Sequence, residues 1–292
     1  MFETILIIAE QALIDFPLIL GAYITISLMK LPDLSIESAY VFGALVASSA
    51  MPLLTTLPSP LMLITLICVS MVAGACVGLT SGLLTQKARI PHLLSAIITI
   101  GLFHGISQAI AGVYVSLGRY QNALTLDVIP LHPELPVLAI VFTVCVLAAL
   151  YFFTTELGYS LAVYGNNPSF FTQYGISTSY VYILGIIIAN GFAGLSGYLS
   201  AQSNGFADLS MGFGKILLCV TALILGKIIT TKNLSIIPST CGLFMYMALQ
   251  QLLLKVGFDL RYFSTVQALV VVVILIMHHT KKENSHSDHL GV

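Results

Sequence analysis

"PLMLITLICVSMVAGACVGLTSGL", residues 60–83, carries no charged side chain and no proline after its first residue. Wound as an α-helix it would extend about 36 Å, more than the roughly 30 Å hydrocarbon core of a bilayer. A helix satisfies its backbone polar groups internally, as lipid demands. Ser70, Gly74, Gly78 and Gly82 recur at every fourth position, so one face is small enough for a neighbouring backbone to approach closely. The stretch reads as a membrane span packed inside a bundle.

The rest of the chain agrees. Of 292 residues, 58% are hydrophobic and 8% charged, outside the balance of a soluble domain. The alternation of a barrel strand is absent. Apolar runs predict an all-α polytopic transmembrane helical bundle of about nine spans: 5–29, 39–56, 60–83, 92–113, 136–153, 180–200, 215–229, 234–254 and 262–277. The first is too long and, with Glu3, Glu10 and Asp15, too acidic for a cleaved signal peptide, so it is expected to stay in the mature protein. Gly101 and Gly105, and then Gly191, Gly194 and Gly197, predict further close helix contacts. Cys68, Cys76, Cys145, Cys219 and Cys241 all lie in apolar spans without a C-x-x-C pair, which gives neither a disulfide framework nor a metal site.

A net charge of -1 offers nucleic acid no basic face. The basic residues set orientation instead. With 154–179 cytoplasmic, Lys30, Lys87, Arg89, Lys227, Lys232, Lys281 and Lys282 fall inside and Arg119, Lys215, Lys255 and Arg261 outside, which predicts an outer N-terminus and a cytoplasmic C-terminus. A transmembrane domain is expected over 1–280 and a cytoplasmic tail over 281–292.

Two stretches share a short string: "PDLSIESAYVFGAL" (32–45) and "ADLSMGFGKILLCV" (207–220). Each Asp-Leu-Ser stands at the mouth of an apolar span, where Asp and Ser are good helix caps. One of the two helices would run outward and the other inward, the arrangement of an inverted repeat whose interrupted helices frame a transport path; two ordinary helix caps are the alternative. Acids and amides at membrane depth are costly unless they face protein or water. Asp33, Ser35, Glu37, Gln202, Asn204 and Asp208 are therefore the candidate path residues, and Asp15 either faces the interior or sits at the interface.

The longest polar connection contains "GNNPSFFTQYG", residues 165–175. Asn167 is a good N-cap, Pro168 suits the first helical position and Gly175 suits a left-handed end, so Pro168 to Tyr174 should form about two turns. A helix that short needs something to pack on. Phe170, Phe171 and Tyr174 supply an apolar knob for a groove in another protein; packing under its own bundle or on the membrane surface is the alternative.

"ELGYSLAVYGNNPSFFTQYGIS" (156–177) resembles the cytoplasmic coupling segment of ABC importer permeases of the branched-chain amino-acid and ribose type, with Gly158, Leu161, Gly165, Asn167, Gly175 and Ile176 matching. "GAYITISLMKLPDLSIESAYVFGA" (21–44) and "AQSNGFADLSMGFGKILLCVTALILGKII" (201–229) are similar to the branch serving tryptophan- and tyrosine-type importers. The resemblance implies a permease subunit, not an enzyme, in a bacterial inner membrane. It would pair with a second copy, frame a path at their interface and dock a separate ATPase through segment 156–178, with Gly165, Asn167, Pro168, Phe170, Phe171, Tyr174 and Gly175 coupling the two. An extracytoplasmic binding protein would deliver the solute, with an amino acid, an aromatic one first, the favoured cargo. No cofactor is expected in this chain. Gly214-Lys215 and Gly226-Lys227 are each followed by Ile rather than Ser or Thr, so ATP and magnesium belong on the partner ATPase. Ala162 stands where the family usually has Arg, and Phe170-Phe171 where it has small residues; both put a standard ATPase groove in doubt.

An ion-coupled secondary transporter is the alternative, with Asp15, Glu37 and Asp208 as carriers. An intramembrane enzyme has less support: His92 and His104 are twelve residues apart with no H-E-x-x-H or G-x-S-x-G motif. In the tail, His278, His279, His286 and His289 could bind a metal weakly, but a solvated end explains them more simply.

Overall fold

A computed structural model describes residues 2–120, 122, 124–125, 132–167, 169–173, 177–229, 236–257, 265, 267–269 and 272. Among them, seven helices are long and apolar enough to cross a membrane. They are α1 (Phe2–Ala22, continued by a π-helical turn Tyr23–Leu28), α2 (Ser35–Leu54), α3 (Ser59–Gln86), α4 (His92–Ala111), α5 (Leu135–Thr154), α8 (Thr178–Asn204) and α10 (Ile236–Lys255). Three shorter helices are α6 (Glu156–Asn166), α7 (Ser169–Gln173) and α9 (Lys215–Ile229). Two short antiparallel strands, β1 (Tyr114–Ser116) and β2 (Phe206–Asp208), pair Val115 with Ala207. Seven of the nine expected spans are thus found. The run 215–229 forms a helix of only 15 residues, about 22 Å by helical rise and too short to cross alone. The expected span 262–277 lies mostly outside the described residues, as does the tail.

The core is built around α8. Its small residues let three backbones meet: a Cβ at Gly43 or Gly74 would strike Gly194, and one at Gly197 would strike the Tyr40 carbonyl. Lipid tails are as apolar as the side chains, so such close contacts, and not hydrophobic burial, hold spans together. Gly74 and Gly78 of the periodic stretch meet α8 at Asn190 and Ile186, as the spacing predicts. Gly101 and Gly105 do not behave alike: nothing lies within 4 Å of a Cβ placed at either, and that face of α4 has no neighbour among the described residues.

α1 and α8 run antiparallel. Gly21 abuts Ala189, and Ser196 donates to the Ile14 carbonyl at 2.9 Å. After Leu28 the chain ends its helix on Lys30, a non-glycine residue with φ 56°. It then turns back into the bundle, so that Ser35, the first residue of α2, lies beside Asn190. Asn190 is some 18 Å along α8 from Thr178 by helical rise. A second reversal enters from the opposite end. There β2 leads into turns over 209–214, and α9 starts at Lys215 against Asp15 and Tyr40.

Candidate functional site

Two helix starts meet in the middle of the bundle. α2 begins at Ser35 and α9 at Lys215, and the Glu37 side chain joins them: its Oε1 accepts the Ile216 backbone N–H at 3.1 Å. The N-terminal amides of a helix have no intrahelical acceptor, so a carboxylate from the first turn of α2 stabilises the start of α9. A Cβ at Gly212 would meet the Glu37 carbonyl and Val41, which brings the 209–214 turn directly onto α2.

The junction below α2 is sealed. Asp33 Oδ1 accepts the Ser35 backbone N–H at 2.9 Å, and the Ser35 hydroxyl reaches both carboxylate oxygens at 2.7 and 2.8 Å. Asn190 Nδ2 donates to Asp33 Oδ2 at 2.9 Å. Asp33, Ser35 and Asn190 are each 0% exposed. A buried carboxylate with three donors is a satisfied structural group. His92 closes the same junction from α4: Nε2 donates to the Pro32 carbonyl at 2.9 Å, which leaves Nδ1 to accept from the Tyr182 hydroxyl at 2.6 Å.

The junction above α9 is open. Asp15 pairs with Lys215 Nζ at 2.9 and 3.0 Å, the Ser196 hydroxyl lies 3.4 Å from Asp15 Oδ1, and the ammonium sits 4.7 Å from the centre of the Tyr40 ring. The pair forms part of the wall of a cavity of about 390 Å³ between α1, α8, α9 and α10. Glu10, Gln11, Ser203 and Asn204 are among its other polar groups, with Ser200, Tyr246 and Gln250. Glu10 pairs with His132 at 2.9 Å. Asn122 donates to Glu134 Oε1 at 2.6 Å and to the Gln202 carbonyl at 3.2 Å, tying the connection between α4 and α5 to the C-terminal end of α8. Burial, with a smaller contribution from Glu10, raises the Glu134 carboxyl above the ordinary glutamate range, while Ser203 and Asn122 partly oppose it.

The expected path residues therefore occupy different places. Asn204 lines the large cavity. Glu37 lines a smaller one of about 230 Å³, with His104, Ser107 and Ser210. Asp33 and Ser35 belong to the sealed junction, and Gln202 is 3% exposed with its amide 3.4 Å from Met51 Sδ. Asp208 ends β2, where its Oδ1 accepts the Ser210 N–H at 2.6 Å. It does not cap α9, which starts five residues beyond Ser210: the intervening turns carry the chain inward first. Lys215 was read from sequence only as an outer basic residue. Its place eleven residues beyond the end of α8 and opposite Asp15 is a product of packing.

The described part of the segment expected to couple holds two helices, α6 and α7. α6 is capped by Thr155, whose hydroxyl oxygen accepts the Gly158 N–H at 3.4 Å. A Cβ at Gly165 would strike the Leu28 carbonyl, and Lys30 Nζ hydrogen-bonds Asn166 Oδ1. This seats the end of α6 on the end of the first span. Asn167 Oδ1 accepts the Ser169 hydroxyl and its carbonyl accepts the Phe170 N–H at 3.2 Å. Phe171 is 3% exposed and packs in the chain's own core, whereas Phe170 is 39% exposed. The expected apolar knob is divided between inside and outside. Pro168, Tyr174 and Gly175 lie outside the described residues.

Comparison with known proteins adds a family. The family model described as branched-chain amino acid transport system / permease component matches residues 5–275. A tyrosine transport system permease protein of Clostridioides difficile is 30% identical over 276 residues, 93% of this chain and 89% of that protein. An uncharacterised protein of Rickettsia prowazekii is 28% identical, covering 91% of this chain and 94% of its own length. An autoinducer 2 import system permease protein of Yersinia enterocolitica is 23% identical, covering 71% and 58%. No solved structure matches the chain.

Proposed function

The chain belongs to the branched-chain amino acid transport system permease family, and on that premise we propose that it is the membrane subunit of an ABC importer for an amino acid, with an aromatic one the first candidate. Family membership implies a multi-pass inner-membrane permease, a carrier subunit and not an enzyme, working with an ATPase and a binding protein. ATP and magnesium are held by the ATPase, and two copies of this chain form the translocating unit, with the N-terminus outside.

The observation that carries this reading is the seating of α6 and α7. Phe170 projects part-exposed from the short helix, while Gly165 and Asn166 clamp the same segment to Leu28 and Lys30. A push on Phe170 would reach the end of α1, pass through the five residues after Lys30 to Asp33 and Ser35, and arrive at Asn190 in α8. ATP drives the cycle only through unequal affinity for the outward- and inward-facing states.

We also read the chain as an inverted repeat, α1-turn-α2-α3 answered by α8-turn-α9-α10. Three features support it: antiparallel α1 and α8, the same Asp-to-Ser backbone turn at 33–35 and 208–210, and the meeting of the α2 and α9 starts at Glu37. In such folds interrupted helices flank the solute path. The ion-coupled alternative draws no such support, since Asp15, one of its carriers, is held by Lys215.

The test is co-purification with the ATPase encoded beside it, then uptake in proteoliposomes. Phe170→Ala should lower ATPase recovery several-fold while leaving the permease folded. ATP-independent uptake driven by an imposed proton gradient would overturn the importer reading.

A further inference from the structure

The Asp15–Lys215 pair is an unusual wall for a cavity in an otherwise apolar bundle. Lys215 and Asp15 side chains are 19% and 8% exposed, so both charges are largely desolvated yet reach the 390 Å³ space. A pair needed only to join α1 to α9 gains nothing from bordering a cavity, and a buried pair is often no more stabilising than well-packed apolar groups. The cavity carries one ammonium, Lys215, and two carboxylates, Asp15 and Glu10, with neutral donors and acceptors on Gln11, Ser203 and Asn204 and apolar surface on Ile14, Leu218 and Met247. Glu10 is already paired with His132 at 2.9 Å, and a ligand of one charge that took one member of the Asp15–Lys215 pair would leave the other unpaired, a costly state at this depth. A zwitterion balances both. Its volume falls within the range of small-molecule sites.

We propose that this cavity binds the zwitterionic head of an α-amino acid, whose carboxylate replaces Asp15 on Lys215 while its ammonium is received by Asp15 and Glu10. The internal pair closes the site when no solute is bound and exchanges for two ligand pairs when one is. No covalent bond changes, and net charge is conserved in the exchange. The proposal rests on the permease reading and adds where the solute is held within a single chain.

The experiment uses the full-length permease in lipid nanodiscs and equilibrium dialysis with three probes: L-tyrosine, tyramine, which lacks the carboxylate, and N-acetyl-L-tyrosine, which lacks the ammonium. L-tyrosine should bind at least about tenfold more tightly than either analogue, the loss expected when a buried charge goes unpaired. Lys215→Met should weaken L-tyrosine by a similar factor and leave tyramine unchanged, a split that a purely structural pair would not produce. Because a single change leaves Asp15 unpartnered, the neutral double variant Asp15→Asn/Lys215→Gln guards against misfolding and should bind L-tyrosine and tyramine alike, with Glu10 left to receive the ammonium of each. Equal binding of tyramine and L-tyrosine by the wild type, binding of none of the probes, or wild-type discrimination by the double variant would overturn the site. ATP-dependent uptake by the assembled transporter separates the two claims. Uptake with unchanged KM in the double variant sinks the site and keeps the permease; probe binding without any ATP-dependent uptake does the reverse.

Discussion

At Asp33 and at Asp208 the chain makes the same local turn, a carboxylate oxygen accepting the backbone N–H of the serine two residues on, at 2.9 and 2.6 Å. The first turn is capped by Asn190 and His92's neighbourhood and leads straight into α2. The second is exposed, just beyond the C-terminal end of α8, and leads through further turns to Lys215, beside a cavity. The contrast teaches that the turn chemistry decides only where the chain reverses. What lies across from it decides whether the reversal becomes a rigid joint or an accessible site. In the first case a neighbouring helix offers an amide at the right depth; in the second it offers an acid and leaves space around it.

The comparison can be broken most sharply at the sealed side. Asp33→Ala leaves the Asn190 amide and the Ser35 hydroxyl without their buried acceptor, and should cost about 3 kcal/mol, seen as a clear fall in the unfolding temperature of the purified permease. On the open side, Lys215→Met should cost less, about 2 kcal/mol, because the cavity lets water reach the orphaned Asp15; an equal or larger loss would mean that the cavity is closed to solvent. Phe171→Ala and Phe170→Ala separate support from docking: the first should lower stability by about 3 kcal/mol as a core truncation, and the second should leave it within about 0.5 kcal/mol.

Acidity supplies a finer probe of the same end of the bundle. The Glu134 carboxyl is raised by burial, so its protonated form is favoured in the folded state. Its contribution is fully present below the unfolded glutamate value of about 4.3 and is lost as pH rises through the higher folded value. Glu134→Gln, which keeps an acceptor for Asn122, should match wild type near pH 4 and become the more stable of the two toward neutral pH; parallel stability curves would contradict this. The smallest effect is expected at Gly105→Val, since an added Cβ there meets nothing within 4 Å among the described residues. The unfolding temperature of the isolated subunit should not move, and loss of the proposed dimer on gel filtration would mark that face of α4 as its contact.

Much of the molecule was legible along the chain. Apolar length gave seven spans within a few residues, and the every-fourth spacing of Gly74 and Gly78 gave their face toward α8. Asn167 and the residues after it gave the short helix α7. Less legible was the difference between Phe170 and Phe171, because two adjacent aromatics on a helix point in directions that only the neighbouring spans make inside or outside. Gly101 and Gly105 repeat the spacing of Gly74 and Gly78 without a partner among the described residues, since periodicity specifies a smooth face and not what covers it.

By itself the sequence determined that this protein lies in a membrane, that it is helical, and where its polar interruptions fall, because lipid punishes unpaired backbone and charge at every position independently of fold. Only the tertiary structure decided which of those polar residues face one another. Asp15 and Lys215 stand 200 positions apart, and Asp33 of the sealed joint stands 157 from its amide partner Asn190 on α8. No local preference links such residues. Their pairing follows from the antiparallel packing of α1 on α8 and from the two chain reversals that bring helix starts to the same depth.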